Sequence, residues 1–159
     1  MTDGNTGQEA IYSKYDRFEM IFHVSTLMPF SLEDTQQIQR KRHIGNDIVT
    51  LVYLEGAGAQ FDASIVKSRF LHVFILVQKE GQGWRVNVCR DENVPYFGPS
   101  LPESAMFYDP IALSTFLYQK SIKISKNSDK WRERIVQGIK ATEAADENKA
   151  DSDRRHYKQ

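Results

Sequence analysis

The chain has 159 residues and carries 21 Lys and Arg against 21 Asp and Glu, so its formal net charge is zero. This length fits one domain of the usual roughly 100–200 residues, and the charge balance argues against a dedicated polyanion binder, which carries a basic excess. The single cysteine, Cys89, excludes an internal disulfide and a multi-cysteine zinc site, and is expected as a buried thiol, since free cysteine packs as a small hydrophobe.

The first ten residues are small and polar and read as a loop or frayed terminus. They lack the cationic and apolar regions of a signal peptide. No later run approaches the about 18–20 apolar residues of a membrane span, so no membrane insertion is expected, and a soluble, reducing, cytoplasmic setting is the default. Phe18 to Val24 is apolar on both faces apart from Glu19 and His23, which predicts a buried strand with His23 as a hydrogen-bonded core histidine. Ser31-Leu32-Glu33-Asp34 has the form of a weak capping box. A helix is therefore expected from Ser31 through Ile38 and Lys41, stopping near Gly45.

Ile48 to Leu54 is a β-branched strand, closed by the Gly56-Ala57-Gly58 turn. Phe70 to Val77 is almost continuously apolar and predicts a central strand, with His72 as a second core histidine. After the turn at Gly81 to Gly83, Trp84, Val86 and Val88 alternate with Arg85, Asn87 and Cys89, the period of a half-buried strand. The two strands flanking Gly81 should form a hairpin. Pro95, Gly98, Pro99 and Pro102 mark a loop. Asp109-Pro110 then opens a helix, with Asp as N-cap and Pro at the first helical position. Leu113, Phe116, Leu117 and Ile124 share its apolar face. A second helix is expected around Trp131, Ile135 and Ile139. Residues 142–159 hold five acids and four Lys or Arg and read as a solvated polar tail. Together these elements predict an α/β fold with a mixed central sheet and flanking helices.

No GxxxxGK[ST] loop is present, so the chain itself should not hydrolyse nucleotides, and no HExxH or Cys/His pair at metal spacing appears. The densest polar stretch is Arg40-Lys41-Arg42-His43-Ile44-Gly45-Asn46-Asp47, where the helix hands over to the next strand. Cations suit the negative end of a helix dipole, so a solvated helix terminus explains most of it. Element ends also present functional residues. A nucleic-acid role is disfavoured by the short cluster, the zero net charge and the lack of stacking aromatics. Asn46 is the residue that a plain helix terminus explains worst. Its carboxamide both donates and accepts without charge, and can orient a water toward a phosphate, as the catalytic glutamine of Ras-type GTPases does.

The segment RKRHIGNDIV, Arg40 to Val49, resembles the signature of the Rap GTPase-activating protein (RapGAP) family. FHVSTLMP, Phe22 to Pro29, is similar to the strand leading into that motif. TGQEAIY, Thr6 to Tyr12, resembles the family's preceding hairpin, and VPYFGPSLP, Val94 to Pro102, its proline-rich loop. The resemblance runs from about Thr6 to Lys140. It implies a G-domain-like α/β catalytic domain over 1–141, lacking upstream family segments, with 142–159 as tail. It also implies stimulation of GTP hydrolysis by a small GTPase in its GTP-bound state, through an asparagine thumb, Asn46, supplied in trans. GTP and Mg²⁺ would be bound by the partner, and this chain would need no cofactor or metal of its own. His43, Lys41 and Arg42 match supporting or GTPase-binding positions, and Asp47 is expected to hold the thumb by hydrogen bonding or to contact the partner. No arginine finger is expected. A basic position of the family's C-terminal helix falls on Gln137, with Arg132 and Arg134 nearby. The motif is closer to Rap-directed members than to tuberin, which favours Rap over Rheb or Ral. The family's frequent separate dimerisation region leaves homodimerisation through upstream segments open. The competing reading is a truncated, non-catalytic GTPase-binding module.

Overall fold

The computed structural model describes residues 7–56, 58–66, 73–129, 131 and 133. In chain order the elements are β1 (Ile11–Tyr15), β2 (Phe18–Phe22), α1 (Ile38–Asn46), β3 (Val49–Leu54), β4 (Val73–Glu80), β5 (Gly83–Arg90) and β6 (Met106–Phe107). A last helix, α2, covers 110–129, and 131 and 133 are also helical. The second helix expected around Trp131 therefore begins with no described break from the first. His72, the first part of the 70–77 strand, Ile135, Ile139, the positions 132, 134 and 137, and the 142–159 tail lie outside the described residues.

β3 to β6 form one sheet in the order β3-β4-β5-β6. β3 runs parallel to β4, in register from Val49↔Val73 to Leu54↔Gln78. β4 and β5 are antiparallel, as are β5 and β6. The mixed sheet expected from the strand pattern is present. β4 occupies its interior because Val73 to Val77 are all buried, and only a strand covered on both faces buries consecutive residues. Alternation then divides the core. Val73, Ile75 and Val77 face a cluster with Val86, Leu113, Phe116, Ile124 and Trp131. Phe74 and Leu76 face the other way, against Ile44, Val52, Leu54 and Phe61. α2 covers the first face and α1 reaches the second.

β1 and β2 pair as a separate antiparallel hairpin, in register from Ile11↔Phe22 to Tyr15↔Phe18. Its inner face rests on α2. The Ser13 and Tyr118 hydroxyls are hydrogen-bonded at 2.7 Å, Tyr15 stacks on Tyr118 with centroids 5.1 Å apart, and Gln119 Nε2 donates to Tyr15 Oη at 3.1 Å. The outer face is open, and Ile21 is 69% exposed. β2 was expected to be buried on both faces; it is not, because a two-stranded ribbon laid on one helix covers one face only. β1 begins at the end of the Thr6 to Tyr12 stretch that resembles the family's hairpin, and is held by this pairing. Cys89 also departs from expectation, being exposed. It pairs with Phe74 across β4 and β5, on the pleat face opposite Val86 and Val88.

α2 buries Leu113, Phe116, Lys120, Ile124, Ser128 and Trp131, a stripe at steps of three and four. Lys120 is the anomaly at its centre. Its ammonium donates to Phe97 O at 2.7 Å and Pro99 O at 2.8 Å and lies 4.7 Å from the centroid of the Phe97 ring. One buried cation thus fastens the proline-rich loop to the helix. Burial pushes its pKa below the ordinary lysine range, and the positive charge of Arg90 adds to the shift. Gly83 explains another close approach: a Cβ there would meet Phe107 O at 2.8 Å.

Lys120→Met keeps the apolar stem but leaves two carbonyls unpaired, at about 1–3 kcal/mol each. Chemical denaturation should show a loss of about 2–4 kcal/mol. The folded chain holds this proton more weakly than the unfolded chain. Between the lowered folded pKa and the ordinary 10.5, the unfolded state therefore binds more protons, and stability rises with pH. The stability gap between the native chain and Lys120→Met should widen as pH rises toward 10.5.

Candidate functional site

α1 has nine residues, too few to hold a helix in water by itself. Its position depends on attachments at both ends. At its start, Gln37 takes φ 51, which breaks any helix running in from Ser31. The helix expected from Ser31 therefore begins only at Ile38, and Ser31 to Gln37 is a compact loop. Gln37 Nε2 closes that loop by donating to Ser31 O at 2.8 Å and Asp34 O at 2.5 Å. The Asp34 carboxylate accepts from Gln39 N at 3.3 Å. Arg40 then reaches back: its Nε donates to Pro29 O at 3.1 Å and its Nη2 to Met28 O at 2.8 Å. Its guanidinium lies 5.2 Å from the Phe30 ring centroid. Arg40 belongs to the basic stretch in sequence, yet in space it is a brace.

At the other end, Asp47 leaves the helix with extended backbone, and its N–H donates to Ile44 O at 3.1 Å. Its carboxylate is met by His23 Nδ1 at 3.0 and 3.1 Å. His23 sits just past β2 with its side chain 36% accessible. It was expected as a core histidine; instead it lies at the surface and steadies the α1–β3 junction. The His43 ring is close by, with centroids 6.1 Å apart. Ile44 packs on the Phe74 and Leu76 layer, and Gly45 is buried.

Asn46 is the last residue of α1 and is exposed. Ile38, Arg42 and Asn46 stand four apart, so they share one helix face, and all three are exposed. Lys41 is exposed as well, but lies about 140° round the axis from Asn46 at 3.6 residues per turn. Neither Lys41 nor Arg42 forms an ion pair with a described residue. The structure thus brings His43 and Asp47 together with His23 behind the junction, sets Arg42 beside Asn46, and turns Lys41 away. Sequence reasoning missed His23, Gln37 and Arg40 as supports. The positive φ at Gln37 and a partner 24 residues away in sequence for His23 leave no local signal.

The Rap/ran-GAP family model matches residues 1–140. The chain belongs to the Rap/ran-GAP family. It is 45% identical over 125 residues to GTPase-activating Rap/Ran-GAP domain-like protein 3 of Danio rerio, covering 76% of this chain and 12% of that protein. It is 39% identical over 131 residues to signal-induced proliferation-associated 1-like protein 2 of Mus musculus, covering 79% of this chain and 8% of that protein. The chain therefore spans a small part of these Rap/ran-GAP relatives. Among solved structures, it is similar to the TSC2 GAP domain, with a TM-score of 0.66 and 28% identity over 82% of this chain and 70% of that one. The fold is accordingly that of a Rap/ran-GAP domain.

Arg40→Met removes two charge-assisted hydrogen bonds on which α1 depends and should cost about 2–4 kcal/mol. Hydrogen exchange should quicken at α1 and at 28–37, while the β4 amides stay as slow as in the native chain.

Proposed function

We propose that this domain stimulates GTP hydrolysis by a small GTPase, with Asn46 as the residue it supplies. The observation that carries this reading is an exposed carboxamide at the end of a helix braced at both ends. Hydrolysis on a GTPase needs a water set in line with the γ-phosphate, and most of the catalysis is positioning and charge stabilisation. An asparagine can accept from that water and donate to a phosphate oxygen at once. A pre-set group gains most, because it need not reorganise during reaction. The His23–Asp47 pair and the Arg40 brace fit that requirement.

Electrostatics point the same way. The C-terminal end of a helix carries partial negative charge, which by itself would repel a triphosphate. Arg42 on the Asn46 face opposes it. GTP and Mg²⁺ belong to the partner in this reading, and the chain adds no covalent step. Rap is the favoured partner over Rheb or Ral, supported by the RKRHIGNDIV motif and by the similarity to GTPase-activating Rap/Ran-GAP domain-like protein 3. A cytoplasmic setting goes with it.

Asn46→Ala should reduce stimulated hydrolysis at least a hundredfold, from the ~10³–10⁵ typical of a completed GTPase site. As a surface change it should leave stability within about 0.5 kcal/mol. Native stimulation by that variant in a single-turnover GTP assay would sink the assignment. Arg42→Glu should weaken GTPase binding, most at low salt where screening is least, whereas Lys41→Glu should act less because it lies off the Asn46 face.

A further inference from the structure

Asn46 closes α1, and the end of a helix is the part the helix itself holds least, because its last carbonyls have no intrahelical partners. Arg40 cannot steady that end. It lies more than a turn back, about 9 Å along the axis at 1.5 Å per residue. The backbone there is drawn together by the Asp47 N–H, which donates to Ile44 O at 3.1 Å. What fixes Asp47 in turn comes from another part of the fold. His23, just past β2, sets its Nδ1 3.0 and 3.1 Å from the two oxygens of the Asp47 carboxylate.

Two consequences follow from that contact. A carboxylate only accepts, so Nδ1 carries the proton, and the bond is complete whether or not Nε2 is protonated too. A carboxylate with both oxygens on one donor is also turned toward that donor. Of the two roles expected of Asp47, this geometry favours holding Asn46 over meeting the GTPase. Such holding matters for rate more than for affinity. A group that orients a reacting water can lose about a hundredfold through a 1 Å misplacement. Affinity, spread over roughly 20–30 residues on each side of an interface, is less sensitive to that shift. We propose that His23 is a positioning residue for Asn46, acting through Asp47 by the single hydrogen bond from Nδ1. The proposal rests on the GTPase-activating reading above and deepens it: Asn46 meets the reacting water, and His23 and Asp47 keep it in place.

The test uses this chain and purified Rap, with stimulated GTP hydrolysis and binding to Rap loaded with a non-hydrolysable GTP analogue as separate readouts. His23→Ala should lower kcat about tenfold or more, with KM and analogue binding within about twofold of native. His23→Asn should recover most of that loss, because asparagine carries an N–H donor the same number of bonds from Cβ as Nδ1. Asp47→Ala should match His23→Ala, and the two together should lose no more than either alone, as for residues that act through one contact. In the Asn46→Ala background, His23→Ala should cost nothing further. An unchanged kcat in His23→Ala removes the positioning role and leaves the catalytic reading standing. A loss carried by KM and analogue binding puts His23 on the docking surface and overturns the proposal. So does an asparagine variant no better than alanine, or losses that multiply across the His23–Asp47 or His23–Asn46 pair. Full stimulation by Asn46→Ala, or none by the native chain, removes the catalytic reading and the proposal with it.

Discussion

Everything else in the domain is arranged around a strand that has no solvent face. Val73 to Val77 of β4 are buried without alternation, so both sides of that strand need cover. One side is met by the long apolar stripe of α2. The other is met by a thinner layer, in which Ile44 of α1 joins Phe61 and Val52 over Phe74 and Leu76. α1 is therefore part of the core's smaller half. It cannot be displaced without uncovering Phe74 and Leu76, and fully exposing a side chain of that size costs about 1.5–3 kcal/mol. Burial fixes where α1 sits, and polar contacts fix how its end is presented.

Those polar contacts divide the basic stretch by role. Arg40, Lys41 and Arg42 are neighbours in sequence and cations in common. A helix separates consecutive residues by about 100°, so three adjacent charges cannot do one job. Arg40 turns inward to carbonyls, Arg42 shares the face of Asn46, and Lys41 looks elsewhere. His43 and Asp47 stand behind the junction with His23. The zero net charge thus coexists with a short cationic stretch whose members point to different sides of the helix.

Much of this architecture is legible in the sequence. The apolar runs of β3 and β4, the alternation of β5 and the Asp109-Pro110 start of α2 are local signals with physical causes, and all three strands and the helix appear where those signals fall. Asn46 stands out in sequence as a residue poorly explained by helix termination, and the motif around it carries the family resemblance. The misreadings share one origin: they concern environments set by distant parts of the chain. β2 has an apolar pattern but only one covering partner. Cys89 is apolar in character, yet its pleat face lies opposite the larger core. His23 reads as a core histidine, yet it lies at the surface against Asp47, 24 residues away. Local composition cannot show which partners tertiary folding will supply.

The hairpin gives the site an unusual mechanical dependence. β1 rests on Tyr118 and Gln119 of α2, β2 hangs from β1 by its register, and His23 extends from β2 to grip Asp47 next to Asn46. The α1–β3 junction is therefore braced, through a ribbon of two short strands, by a helix on the far side of the sheet. Such a ribbon can slip only in whole steps. One step would carry His23 about 3.3 Å along the strand and turn its ring to the opposite face, out of reach of the carboxylate. The grip on the junction is thus quantised: it is either in register or lost, with no graded slack between.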